Sequence, residues 1–290
     1  MALDSIQEIL ERIELEHIPF WKVVLETDMD ERQVTEAESL ERMQFTWKAM
    51  LESAENYEGS RRSVSGLVGG DGARMRSYAA ENETLSGGYL QAVIATALSV
   101  GESNACMRKI VAAPTAGACG VLPAVLVPLY HSGSVSEDEI IKALYVASGI
   151  GAVISFRACI AGAAGGCQAE IGSASAMAAG ALVALRGGSA VQIGHAAAMT
   201  LKNLMGLVCD PVAGLVEVPC VKRNVVGAVN AVSCADMALA GIESRIPVDE
   251  VIDCMGDVGS RIPMELRETA LGGLAATPAG QRVKEQMKHN

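Results

Sequence analysis

Along the first 60 positions apolar and charged residues recur with a helical period. Ile6, Ile9, Leu10 and Ile13 follow one another at short helical steps. Leu40, Met43, Trp47, Met50 and Leu51 do so again after Asp28–Asp30, which reads as a helix-start signal. This predicts an acidic layer of amphipathic helices with a solvated outer face. A glycine-rich junction, RRSVSGLVGGDGARM (61–75), follows, and the pattern then changes. From Gly87 onward Ala, Gly and Val dominate and charges are sparse. Strict apolar/polar alternation is sustained nowhere, so no strands are predicted. The pattern reads as all-α: a bundle of largely buried helices joined by Gly/Pro-rich loops. Residues 1–60 form its helical N-terminal layer and 61–290 its main helical domain, the two making one continuous unit. Small-residue runs such as GSASAMAAGALVALRGG (172–188) suit close helix packing.

Composition supports helices over a β-sandwich. Half of the 290 residues are hydrophobic but only 3% are aromatic, and there are 30 glycines. The net charge is −11, and residues 1–60, with 15 acidic and 5 basic side chains, carry −10 of it. Nucleic acid is excluded as a partner, because phosphate binding needs a basic face. The opening MALDSIQEILERIELEH has no basic segment leading into an apolar one, so no secretory signal is expected. The eight cysteines then read as reduced thiols in the cytoplasm. Residues 110–136 carry no Asp, Glu, Lys or Arg, yet Pro114, Pro123 and Pro128 divide them. Arg157, Glu170 and Arg186 interrupt the later apolar runs. Buried helices account for these runs, and no membrane partner is expected.

Four segments hold more Gly, Pro, Ser, Thr or Cys than a core helix needs. In SVSGLVGGDG (63–72), glycines let a backbone approach a ligand beside Ser63, Ser65 and Asp71, although a plain hinge has the same composition. In KIVAAPTAGACGVLPAVL (109–126), Thr115 leads small residues into an apolar helix. Free N–H groups at that start attract anions, and an ordinary Thr-capped helix is the alternative. GAAGGCQAE (162–170) places Cys167 directly after two glycines, and GLVCDPVAGLVEVPC (206–220) sets Cys209 and Cys220 around a Gly/Pro turn. Cys106, Cys119, Cys159, Cys234 and Cys254 read as small buried hydrophobes. Spacings of 42 and 11 between Cys167, Cys209 and Cys220 match neither a zinc ribbon nor a ferredoxin loop, so spacing leaves a metal site open. Among possible bases, His17 and His289 lie in the ends, His131 in an apparent loop, and His195 reads as a core or capping residue. Lys202 and Asp210 lie near the cysteine turn.

KIVAAPTAGACGVLPAVL, GCQAEIGSASAMAAGAL and LMGLVCDPVAGLVEVPCVKRN together resemble the α chain of the bacterial iron–sulfur L-serine dehydratases, in order from about Ser63 to beyond Asn224. The resemblance implies a [4Fe–4S] cluster on Cys167, Cys209 and Cys220, with one iron left free of thiolate as a Lewis acid. It implies a lyase that deaminates L-serine to pyruvate and ammonia. The substrate carboxylate would lie near Thr115, Ala116 and Gly117, with Ser65 and Gly66 on its other side. It further implies a separate β chain bearing a His-containing motif that this sequence lacks. The catalytic base therefore stays unassigned, with His195 and Lys202 the residual candidates in this chain. Alternatives are a related cluster-dependent lyase acting on L-cysteine or L-threonine, a pyridoxal-phosphate dehydratase, and a non-catalytic helical subunit. For the pyridoxal reading the sequence offers only LSGG (85–88).

Overall fold

The predicted helices form, and capping and packing set their bounds. A computed structural model describes residues 3–288, and among these it holds thirteen α-helices and no named strand. The first three are α1 (Ile6–Glu16), α2 (Phe20–Arg32) and α3 (Glu36–Glu55). Asp28–Asp30 fall inside α2 and start nothing. The next helix begins instead at Thr35, whose hydroxyl accepts from the Glu38 amide while the Glu38 carboxylate accepts from the Thr35 amide. The N-terminal part is also more than a solvated layer. Ile6, Ile9, Val23, Leu25, Trp47 and Met50 are at most 3% exposed and belong to the main core.

After α4 (Asp71–Glu81), α5 (Gly87–Ala105), α6 (Val121–His131), α7 (Glu137–Arg157) and the short α8 (Gly162–Gly165), the chain enters α9 (Ser173–Leu185), the centre of the molecule. Every α9 residue from Ser173 to Val183 is buried. Around it pack α6, α7, α10 (Ala190–Leu204) and α11 (Cys220–Leu239). Its small side chains let neighbouring helices approach closely, since interaxial distance follows side-chain size at the contact. α12 (Val248–Arg261) and α13 (Pro278–Met287) complete the set. By length and composition α7 alone, among the described residues, is long and apolar enough to cross a membrane. Here 61% of its most apolar window is buried inside the fold.

Some sequence expectations fail locally. His131 ends α6, not a loop, and its Nε2 lies 2.9 Å from Glu55 Oε1. Cys119 and Cys234 are buried as expected, but Cys106 and Cys159 are half-buried and Cys254 is exposed on α12. One glycine fixes the α5–α6 contact. A Cβ on Gly120 would lie 2.9 Å from the Ala97 carbonyl oxygen and 3.0 Å from Asn224 Oδ1. Because one of these is backbone, Gly120→Ala should destabilise the protein by about 1–3 kcal/mol through overpacking. Denaturant unfolding checks this, and an unchanged midpoint would contradict the tight contact.

Candidate metal centre

The site begins where the chain leaves α8. Gly166 has φ +77, a left-handed conformation that glycine adopts at little cost, and a Cβ there would lie 2.9 Å from the Leu207 carbonyl oxygen. The Gln168 amide donates to that same carbonyl at 2.9 Å. Gln168–Gly172 then wind as a π-helical turn that runs into α9, a wider turn often found at functional sites. The turn brings the Cys167 thiol and the Glu170 carboxylate together with the Cys209 thiol. One ligand atom of each lies within 4.8 Å of the other two. Two glycines wall this group. A Cβ on Gly162 would sit 2.7 Å from Glu170 Oε2 and 3.1 Å from Cys209 Sγ, and one on Gly117 would sit 3.2 Å from Glu170 Oε1.

Cys209 is held by a distant part of the chain. Its amide donates to the Leu266 carbonyl at 2.8 Å, and its carbonyl accepts from the Glu268 amide at 2.7 Å. Asp210 Oδ2 accepts from the Leu274 amide at 2.8 Å. The Val212 amide closes the turn on the Val218 carbonyl at 2.9 Å, and Gly214, at φ +73, carries the chain around it. Cys220 then opens α11 directly after Pro219. Its thiol is buried beside the group but lies outside the 4.8 Å set.

The electrostatics separate the three thiols. The Cys209 thiol and, less strongly, the Arg223 guanidinium stabilise the Cys167 thiolate, holding Cys167 below the ordinary thiol value. As the donor in that contact, and through burial, Cys209 is pushed up. Burial pushes Cys220 up to about 12, with the charges of Cys167 and Glu170 adding to it. Burial also raises Glu170 from its usual carboxylate value, and the nearby Thr115 hydroxyl opposes the shift. That hydroxyl is itself buried and makes no hydrogen bond of ordinary geometry. Convergent thiols, one of them with its pKa lowered, fit a thiophilic metal. The orphaned Thr115 hydroxyl fits a polar ligand beside it.

The other sequence candidates divide. Thr115, Ala116 and Gly117 form the turn before α6, and Asn224 Nδ2 donates to the Gly117 carbonyl at 2.8 Å. Asn224 Oδ1 accepts from the Gly120 amide, also at 2.8 Å. Thr115 is no helix cap, since its side chain accepts nothing there. Ser65 reaches the centre indirectly: its hydroxyl and that of Ser63, at 2.6 Å, both donate to Glu217 on the cysteine turn. Gly66, next to it, has φ +76 with open space around it. His195 and Lys202 serve a different turn. His195 Nδ1 accepts from the Ser244 amide at 3.4 Å, and Lys202 Nζ donates to the Ser244 carbonyl. His289 lies outside the described residues. Glu170, Glu217, Arg223 and Asn224 were missed as site residues. Their signal was a polar side chain at a position the fold would bury, where a charge needs a partner.

Comparison with known proteins places the chain in a family. The family model described as "Serine dehydratase alpha chain" matches residues 16–275. The chain is 43% identical over 283 residues to the probable L-serine dehydratase alpha chain of Bacillus subtilis, covering 98% of this chain and 94% of that one. It is equally similar, at 43% over 283 residues, to the L-serine dehydratase alpha chain of Peptoniphilus asaccharolyticus, covering 97% of each. Against L-serine dehydratase 2 of Escherichia coli it is 45% identical over 183 residues, which cover 62% of this chain and 40% of that protein. The family match spans every segment that builds the cysteine centre, and the chain belongs to the serine dehydratase alpha-chain family.

Proposed function

We propose that this chain is the α subunit of an L-serine dehydratase, a lyase releasing pyruvate and ammonia from L-serine. Its cofactor in this reading is a [4Fe–4S] cluster held by Cys167, Cys209 and Cys220. The observation that carries the reading is the convergence of the Cys167 and Cys209 thiols on one buried point. They come from loops 42 residues apart in a chain whose relatives carry the dehydratase name. When bound, the cluster would supply a Lewis acid for the departing hydroxyl.

The chain's own residues supply binding. The Thr115 hydroxyl and the amides of Ala116 and Gly117 bind the substrate carboxylate. Ser65 and Gly66 approach from the other side on a loop that Glu217 anchors to the cysteine turn. Loss of the α-proton and the hydroxyl as water leaves 2-aminoacrylate, whose imine tautomer takes up water and releases ammonia. The base is assigned to a separate β chain. His195 and Lys202, bonded at Ser244, are the weaker alternatives. The relatives named alpha chains are matched nearly end to end, whereas the Escherichia coli enzyme is matched over 40% of its length, and a two-chain enzyme suits that contrast. A cytoplasmic setting, where thiols stay reduced, suits the centre.

The test is anaerobic pyruvate release from L-serine by the two chains together, with L-threonine and L-cysteine as competitors. Release from L-serine supports the reading, and its absence with a loaded cluster overturns it. Thr115→Val removes one charge-assisted hydrogen bond, worth about 1.5–3 kcal/mol. Its KM for L-serine should rise roughly 10- to 100-fold with iron content unchanged. An unchanged KM would contradict the carboxylate site.

A further inference from the structure

Arg223 touches all three cysteine segments at once. It lies on α11, three residues after Cys220. Its Nη1 donates to Cys167 Sγ at 3.4 Å and to the Val208 carbonyl, just before Cys209, at 2.8 Å. Its Nη2 donates to Asp210 Oδ1, just after Cys209, at 2.8 Å. The guanidinium thus grips both flanks of one cysteine and the sulfur of another while its own helix carries the third. The side chains of Arg223 and Asp210 are only 13% and 5% exposed. The other oxygen of Asp210 accepts from the Leu274 amide, so the clasp continues into the C-terminal segment that pairs with Cys209.

We infer that Arg223, oriented by Asp210, is the positioning residue that assembles the cysteine centre and sets the electronic properties of the cluster it holds. This rests on the cluster reading above. Three acceptors at different angles need a planar fork; a lysine ammonium, a compact point charge, matches that geometry poorly. A fixed N–H donor and positive charge on a ligand sulfur stabilise the more negative, reduced state of an iron–sulfur centre, as hydrogen bonds to cluster sulfurs generally tune its potential. Groups that orient metal ligands in this way typically change metal affinity 10- to 100-fold when removed.

The experiment compares the native chain, Arg223→Lys, and the double variant Arg223→Gln/Asp210→Asn, which leaves no buried charge unpaired. Each is reconstituted anaerobically with iron and sulfide and assembled with the β chain. Iron retention against a chelator and the cluster reduction potential are measured, with circular dichroism reporting the fold. Both variants should lose iron 10- to 100-fold more readily than the native protein. The potential should fall clearly in the double variant and less in Arg223→Lys, which keeps the charge. Native retention and native potential in either folded variant would overturn the role of Arg223. A native chain that takes up no cluster would instead overturn the cluster reading beneath it.

Discussion

Replacing Cys167, Cys209 or Cys220 by alanine should each reduce iron uptake to background after anaerobic reconstitution, while Cys254→Ala leaves it unchanged. The first two thiols meet within 4.8 Å beside Glu170, and the third is buried at the head of α11. Cys254 is exposed on α12, with its thiol directed at Met205. Loss of a Lewis acid removes several kcal/mol of charge stabilisation, so turnover of L-serine should fall by about 10³-fold or more. Cys220→Ala is the sharpest of the three, because its thiol stands outside the converged group. Normal iron in Cys220→Ala would limit the centre to Cys167, Cys209 and Glu170. Normal iron in any of the three variants would refute the three-cysteine assignment.

The second large effect concerns the chain without a partner. Beside the cysteines stand Glu170, Thr115 and Arg223, whereas His195 and Lys202 are held at Ser244. Positioned proton transfer contributes about 10²–10⁴-fold to such reactions. The isolated chain, loaded with its cluster, should therefore form pyruvate at least 10²-fold more slowly than the two-chain complex. Added β chain should restore the rate without changing iron content. Full activity from the isolated chain would place the base within it and direct mutation to His195 and Lys202.

Much of the fold was legible because burial and periodicity coincide. Ile6, Ile9, Trp47 and Met50 were read as one face of helices, and that face enters the core. The start of α3 was misplaced because Asp28–Asp30 resemble a cap, while the working cap is the Thr35–Glu38 pair. The cysteine-bearing loops were legible from glycine and proline beside each thiol. Their meeting was not, since it depends on contacts far apart in sequence. Cys209 is placed by Leu266 and Glu268, and Asp210 by Leu274. The π-turn over Gln168–Gly172 that brings Glu170 beside Cys167 leaves no trace in apolar spacing, because every residue around it except Glu170 is buried. Arg223 and Glu217 gain their places only through partners elsewhere in the chain, Cys167 and Asp210 for the first and Ser63 and Ser65 for the second.

In this reading the converged cysteines hold an iron–sulfur cluster on which serine dehydration depends. The visible absorption spectrum of the protein, purified and kept anaerobic with its β chain, tests this most directly. A broad charge-transfer band that bleaches on exposure to air, together with the loss of pyruvate formation, is the predicted result. A pyridoxal band, or a colourless and iron-free preparation with full L-serine dehydratase activity, would contradict it.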